Sequence, residues 1–126
     1  MARILVVDDR PEVARAIARM LHDHETTNET DAERALARVT GGEPFEVVLI
    51  DLNMPGMTGR ELSDALTGAA LHRPPIVVMM SSGENVASLF ATGRVVLIKP
   101  FEGEELRALI AAILHRDAGH ASHSPH

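Results

Sequence analysis

The feature that most constrains this chain is the recurrence of short β-branched runs, each followed by a stretch of helical period. "RILVVD" (3 to 8), "ETTN" (25 to 28), "FEVVLID" (45 to 51), "IVVMMS" (76 to 81) and "RVVLIK" (94 to 99) read as strands. Three of these are apolar almost without interruption, as strands covered on both faces must be. "ETTN" is short and polar, which places it at an edge. Strict alternation of five strands with helical segments predicts an α/β fold, a doubly wound parallel sheet with crossover helices.

The first helix is expected to open at Pro11, a favoured first-turn residue, with Val13, Ile17, Met20 and Leu21 on its inward stripe. The second shows a capping-box pattern, Thr30 followed by Glu33, and turns Ala35, Leu36 and Val39 to the core. The third is expected from about Gly59 to Thr67, with Leu62 and Leu66 one turn apart, and a short one near 84 to 91. The last, near 103 to 116, places Leu106, Leu109, Ile110, Ile113 and Leu114 on one stripe and leaves Arg107, Ala108, Ala111 and Ala112 opposite. Residues 1 to 116 are thus expected to form one domain. "DAGHASHSPH" (117 to 126) lacks an apolar period and is expected to be a disordered, solvated tail; its histidines 120, 123 and 126 have no surrounding shell to orient them on a metal.

Composition narrows the function classes. With 126 residues there is room for one domain, and a formal net charge of −6 with scattered Lys and Arg leaves no basic stripe for direct nucleic-acid binding. Trp and Tyr are absent and Phe occurs three times, which removes aromatic platforms for stacking bases. No Cys is present, so disulfides, thiolate catalysis and cysteine-ligated metals are excluded. "MARILVV" is too short for a signal peptide and no apolar run reaches the ~20 residues of a membrane span, so the expectation is a soluble cytoplasmic protein without membrane contact. Met54, Met57, Met79 and Met80 read most simply as packing residues.

In a doubly wound sheet, ligands bind at the carboxyl ends of strands, where the strand order reverses. Strand one ends in Asp8 and Asp9, and strand three in Asp51. If these strands are neighbours, three carboxylates converge. Two of them ~4 Å apart repel by about 4 kcal/mol at an effective dielectric of 20, so the cluster needs cations or raised pKa values. Strand five ends in Lys99, one positive charge against three negative. A small divalent cation completes the balance, and an all-oxygen site of carboxylates and waters is the kind Mg²⁺ prefers. Such a site suits phosphoryl transfer, with one carboxylate as nucleophile and cations on the transferred oxygens. Strand four ends in Ser81 and Ser82, either of which offers a hydroxyl to the same ligand. Each residue also has a plainer reading: Asp51 as a turn residue, Asp8 and Asp9 as caps, the serines as turn formers, Lys99 as a solvated side chain before Pro100.

"ILVVDD", "DLNMPGMTG", the strand-four hydroxyl and "KPF", in this order and at these separations, resemble the receiver domains of two-component response regulators over about residues 3 to 115. The resemblance implies a flavodoxin-like strand order 2-1-3-4-5, in a CheY-like single-domain form. It implies that Asp51 is the phospho-acceptor, that Asp8 and Asp9 are the metal-side acids, and that the Asn53 backbone carbonyl joins the Mg²⁺ shell. Ser81, directly after the apolar run, would be the switch hydroxyl and Lys99 the phosphoryl-contacting lysine; a cis Lys99–Pro100 peptide is a further expectation. The implied partners are a histidine kinase or histidine phosphotransfer protein and a downstream protein target. With no output domain after the last helix, a stand-alone receiver or a segment of a hybrid kinase is expected, and Met1 just ahead of strand one favours the former.

Two departures from the family pattern bear on the switch. Val96 stands three residues before Lys99, where receivers usually carry an aromatic ring, and Ser81 and Lys99 are 99 − 81 = 18 positions apart, about a helical turn less than usual. The fourth helix is therefore expected to be short and mobile between Gly83 and Gly93, and the signal to be read out through the loop after strand four together with this helix. Asn53 and Gly83, each two residues beyond a site residue, are expected to leave water access to an acyl phosphate. Two other functions compete. A phosphatase with an aspartyl nucleophile would need a second acid at position 53, which is Asn53, and a phosphorylation-independent interaction module would not need the full set of acids and lysine.

Overall fold

Parallel strands need crossover connections, and the alternation read from the sequence supplies helical ones between the first four strands. The computed structural model describes residues 1–52, 57–69, 71, 73–82 and 94–123, with 116–123 described as backbone. In chain order the elements are β1 (Arg3–Val7), α1 (Pro11–Met20), β2 (Glu25–Glu29), α2 (Ala32–Thr40), β3 (Val47–Asp51), α3 (Gly59–Gly68), β4 (Ile76–Ser81), β5 (Val95–Ile98) and α4 (Gly103–His123). All strand pairings are parallel and the order is β2-β1-β3-β4-β5, the order expected. The helix expected near 84 to 91, with its flanking Gly83 and Gly93, lies outside the described residues, as does Asn53.

Side chains on a strand alternate between faces, so a fully apolar strand feeds two cores. Ile4, Val6, Val47, Leu49, Val78, Met80 and Leu97 pack with Ala14, Ile17 and Leu21 of the α1 segment and Leu106, Ile110 and Ile113 of α4. Leu5, Val7, Val48 and Ile50 pack with Ala32, Ala35 and Val39 of α2 and Leu62 and Leu66 of α3, closed below by Phe45. Met79 and Met80 are fully buried and Met57 packs against the second core, as packing residues should. The polar β2 forms one edge; β5 forms the other and leaves Ile98 44% exposed.

Helix ends differ from expectation in three places. Asp31, not Thr30, caps α2: its Oδ1 accepts the Glu33 N–H at 2.9 Å, and the helix starts one residue later than a Thr30 box requires. The reciprocal box sits instead at α3, where the Thr58 hydroxyl accepts the Glu61 N–H (3.1 Å) and the Glu61 carboxylate accepts the Thr58 N–H (3.0 Å). The last helix continues to His123 rather than ending near 116; no proline interrupts 117 to 123, and the next is Pro125.

Candidate functional site

Register brings the acids together. Val7 pairs with Ile50 across β1 and β3, so the next residue of each strand, Asp8 and Asp51, emerges side by side at the carboxyl end of the sheet. Asp8 is fully buried and Asp51 is 2% exposed, while Asp9, one residue further, is half-buried. The three carboxylates each offer an oxygen within 4.8 Å of the others. Lys99 follows β5 directly; its N–H donates to the Ser81 carbonyl at 2.6 Å, which extends the β4–β5 pairing and aims the side chain inward. Lys99 Nζ then donates to Asp51 Oδ1 at 3.2 Å and stands 3.8 Å from Asp8 Oδ2. The Lys99–Pro100 peptide is cis. Ser81 ends β4 and is buried, whereas Ser82 is exposed and lines the groove beside the site.

The backbone beneath the acids depends on one glycine. Gly59, the first residue of α3, lies so close to the end of β3 that a Cβ there would collide with the Asp51 carbonyl and sit 2.8 Å from Leu52 Cα and 2.9 Å from Ile50 Cγ2. Only a residue without a side chain lets α3 start against the strand that carries Asp51. From "TGRE" the box and the glycine are both legible, but the close approach is a tertiary fact.

A second cation completes the cluster. The sequence reading gives Arg10 no role, although its place after two acids and before the helix-opening Pro11 is the signal that points to it. Its Nε lies 3.7 Å from Asp8 Oδ1 and its Nη2 3.8 Å from Asp51 Oδ2. Among the described residues three clustered carboxylates thus stand with two cations, one net negative charge in a site whose central acids are buried. Burial pushes the Asp8 carboxyl above its ordinary range; the Arg10 N–H, which donates to Asp8 Oδ1 at 2.9 Å, opposes this, Asp51 adds to it, and the charges of Lys99 and Arg10 oppose it.

The donor set fits a hard divalent cation. Asp8 Oδ2 is buried and has no hydrogen-bond partner among the described residues, with Lys99 at 3.8 Å its nearest recorded cation. A buried carboxylate oxygen in that position is costly unless something positive reaches it, and oxygen-only sites of two or three carboxylates are what Mg²⁺ and Ca²⁺ accept. Beside the cluster opens an apolar groove of about 520 Å³ between α1 and the residues after β5, lined among others by Val13, Ile17, Met20, Lys99 and Phe101. Among the described residues no helix is long and apolar enough to cross a membrane.

The chain is similar in sequence and fold to known proteins. Residues 4–111 match the family described as response regulator receiver domain. The transcriptional regulatory protein TcrA of Mycobacterium tuberculosis is 31% identical over 118 residues, 90% of this chain and 46% of that protein. The cell cycle response regulator CtrA of Brucella ovis is 29% identical over 123 residues, 94% of this chain and 53% of that protein. The chain therefore spans about half the length of these curated relatives. The structure of the chemotaxis response regulator CheY4 of Vibrio cholerae superposes with a TM-score of 0.78 at 28% identity, covering 90% of this chain and 98% of that one. With the family match spanning most of the chain and the acid cluster at the expected strand ends, the protein belongs to the response regulator receiver domains, signalling domains of two-component systems.

Proposed function

We propose that this receiver is a phospho-accepting one: it takes a phosphoryl group onto Asp51 from a phosphohistidine of a histidine kinase or phosphotransfer protein, with Mg²⁺. The observation that carries this is the buried Asp51 carboxylate with Lys99 Nζ at 3.2 Å and two further acids within 4.8 Å. An Asp51 oxygen attacks phosphorus, the P–N bond breaks, and its electron pair returns to the imidazole of the donor. Asp8, Asp9, Asp51 and the Asn53 carbonyl would hold Mg²⁺, which when bound offsets the negative charge gathered by the carboxylates and phosphoryl oxygens. Lys99 holds a phosphoryl oxygen and Ser81 donates its hydroxyl to another. The choice of Ser81 over Ser82 is supported by its burial at the end of β4 beside the cluster. In hydrolysis a water oxygen attacks phosphorus, the acyl P–O bond breaks, and phosphate leaves with the Asp51 carboxylate restored. The domain thereby acts on itself and turns over no small-molecule ester.

The groove supports the partner assignment. A histidine-bearing helix can lay an apolar face between α1 and Phe101 while its phosphohistidine reaches Asp51 past Arg10 and Lys99. We place the protein in the cytoplasm, where such kinases present their phosphohistidine, and assign it no direct nucleic-acid or membrane contact. Phosphotransfer profiling tests the function: the purified chain is mixed with each phosphorylated kinase of its host. Rapid transfer from one of them is expected. If none transfers while each still phosphorylates its own regulator, the chain is a phosphorylation-independent interaction module instead.

A further inference from the structure

Arg10 is anchored at one end and loose at the other. Its N–H donates to Asp8 Oδ1 at 2.9 Å, and its carbonyl accepts the N–H groups of Val13 and Ala14 at 3.1 and 3.2 Å, so the backbone is fixed at the start of α1. The guanidinium is 51% exposed and stands 3.7 and 3.8 Å from its two carboxylates, beyond hydrogen-bond length. It is held there by charge and not by the two parallel bonds of a committed Arg–carboxylate fork. Nor does its side chain cap the helix, so it can leave without unmaking the first turn.

Among the described residues the two cations face different oxygens of the same two acids. Lys99 faces Asp51 Oδ1 and Asp8 Oδ2; Arg10 faces Asp51 Oδ2 and Asp8 Oδ1. Lys99, 17% exposed and hydrogen-bonded to Asp51, is built into the site, whereas Arg10 leans in from the solvent side. A divalent cation held by Asp8 and Asp51 would place its charge where the guanidinium now points, and the two positive groups repel.

We propose that Arg10 is a tethered counter-ion of the acid cluster that occupies it while no divalent cation is bound and withdraws when one enters, so that it sets the cation concentration at which the site fills. This rests on the proposed metal site. Because coupling between two ligands of one site is reciprocal, what Arg10 adds to the metal-free protein it must subtract from metal affinity.

The test uses the full chain and its Arg10→Ala and Arg10→Gln variants. Mg²⁺ is titrated at low ionic strength and followed by calorimetry or amide chemical shifts, with thermal unfolding recorded in its absence and at saturation. Both variants should bind Mg²⁺ about three- to tenfold more tightly, the size expected for two half-exposed ion pairs, and the difference should shrink as salt rises. The metal-free variants should melt below the wild type, and the saturated ones level with it. Equal or weaker binding by the variants overturns the proposal, as does an equal loss of melting temperature with and without Mg²⁺, which would make Arg10 a structural residue. If wild type and variants all fail to bind Mg²⁺, the metal site itself falls and this inference with it; binding by the variants alone supports it.

Discussion

Gly59→Ala is a small change with two opposing consequences, and the distances decide between them. Alanine is the better helix former by up to about 1 kcal/mol, and the first position of a helix realises only part of that. Against this, the new methyl would collide with the Asp51 carbonyl and lie 2.8 Å from Leu52 Cα, both backbone atoms that no rotamer change can move. Forcing one carbon into packed backbone costs typically about 1–3 kcal/mol, so the net effect is a loss on the order of 1–2 kcal/mol. Relief requires α3 to back away or the end of β3 to shift, and the end of β3 is Asp51. Urea unfolding should show the midpoint falling by roughly 0.5–1 M at an m-value of about 2 kcal/mol/M. Phosphorylation of the folded variant by a small acyl-phosphate donor should slow in parallel, since the acceptor no longer stands at its distance from Lys99. An unchanged or raised midpoint with wild-type labelling would refute the claim that this glycine is there for close approach.

Three further outcomes follow from the charges of the site. Because burial raises the Asp8 carboxyl in the folded protein, the folded state binds this proton more tightly than the unfolded one, and stability falls as pH rises from the unfolded value of 3.8 through the folded value. Asp8→Asn should therefore remove that slope in urea titrations across pH and stabilise the Mg²⁺-free protein at neutral pH, while abolishing the gain from saturating Mg²⁺, about 2.7 kcal/mol at a hundredfold excess over Kd. Lys99→Met removes the cation 3.2 Å from Asp51 Oδ1 and should slow phosphoryl acceptance at least tenfold with the fold intact by circular dichroism. The acyl phosphate of the wild type, followed by loss of label, should not be unusually long-lived; persistence for days in purified protein would contradict the water access expected beside Asn53 and Gly83.

Most of the scaffold is legible in the chain because its signals are local. Apolar runs such as "VVLI" require cover on both faces, "ETTNE" can only be an edge, and the acids directly after β1 and within the end of β3 follow from strand termini alone. Capping was less so: "TDAE" and "TGRE" each contain Thr and Glu at box spacing, and only the backbone shows that Asp31 takes the cap in the first and Thr58 in the second. Loss of apolar period points to a helix end near 116, but period reports burial and not helicity, and α4 continues to His123. At the site, the acids and Lys99 could be found from the ends of strands. Arg10 has only its place between Asp9 and Pro11 as a signal; that its long side chain folds back over Asp8 and Asp51 instead of extending into solvent is a matter of rotamer and tertiary geometry.

The central claim is that Asp51 accepts phosphoryl. Intact-mass and peptide mass spectrometry of the chain after incubation with an acyl-phosphate donor and Mg²⁺ tests it most directly. The account predicts one added phosphoryl group on the peptide carrying Asp51, none in Asp51→Asn and none when Mg²⁺ is chelated. A wild-type chain that stays unmodified under conditions that label a known receiver, or a label that persists in Asp51→Asn, would contradict it.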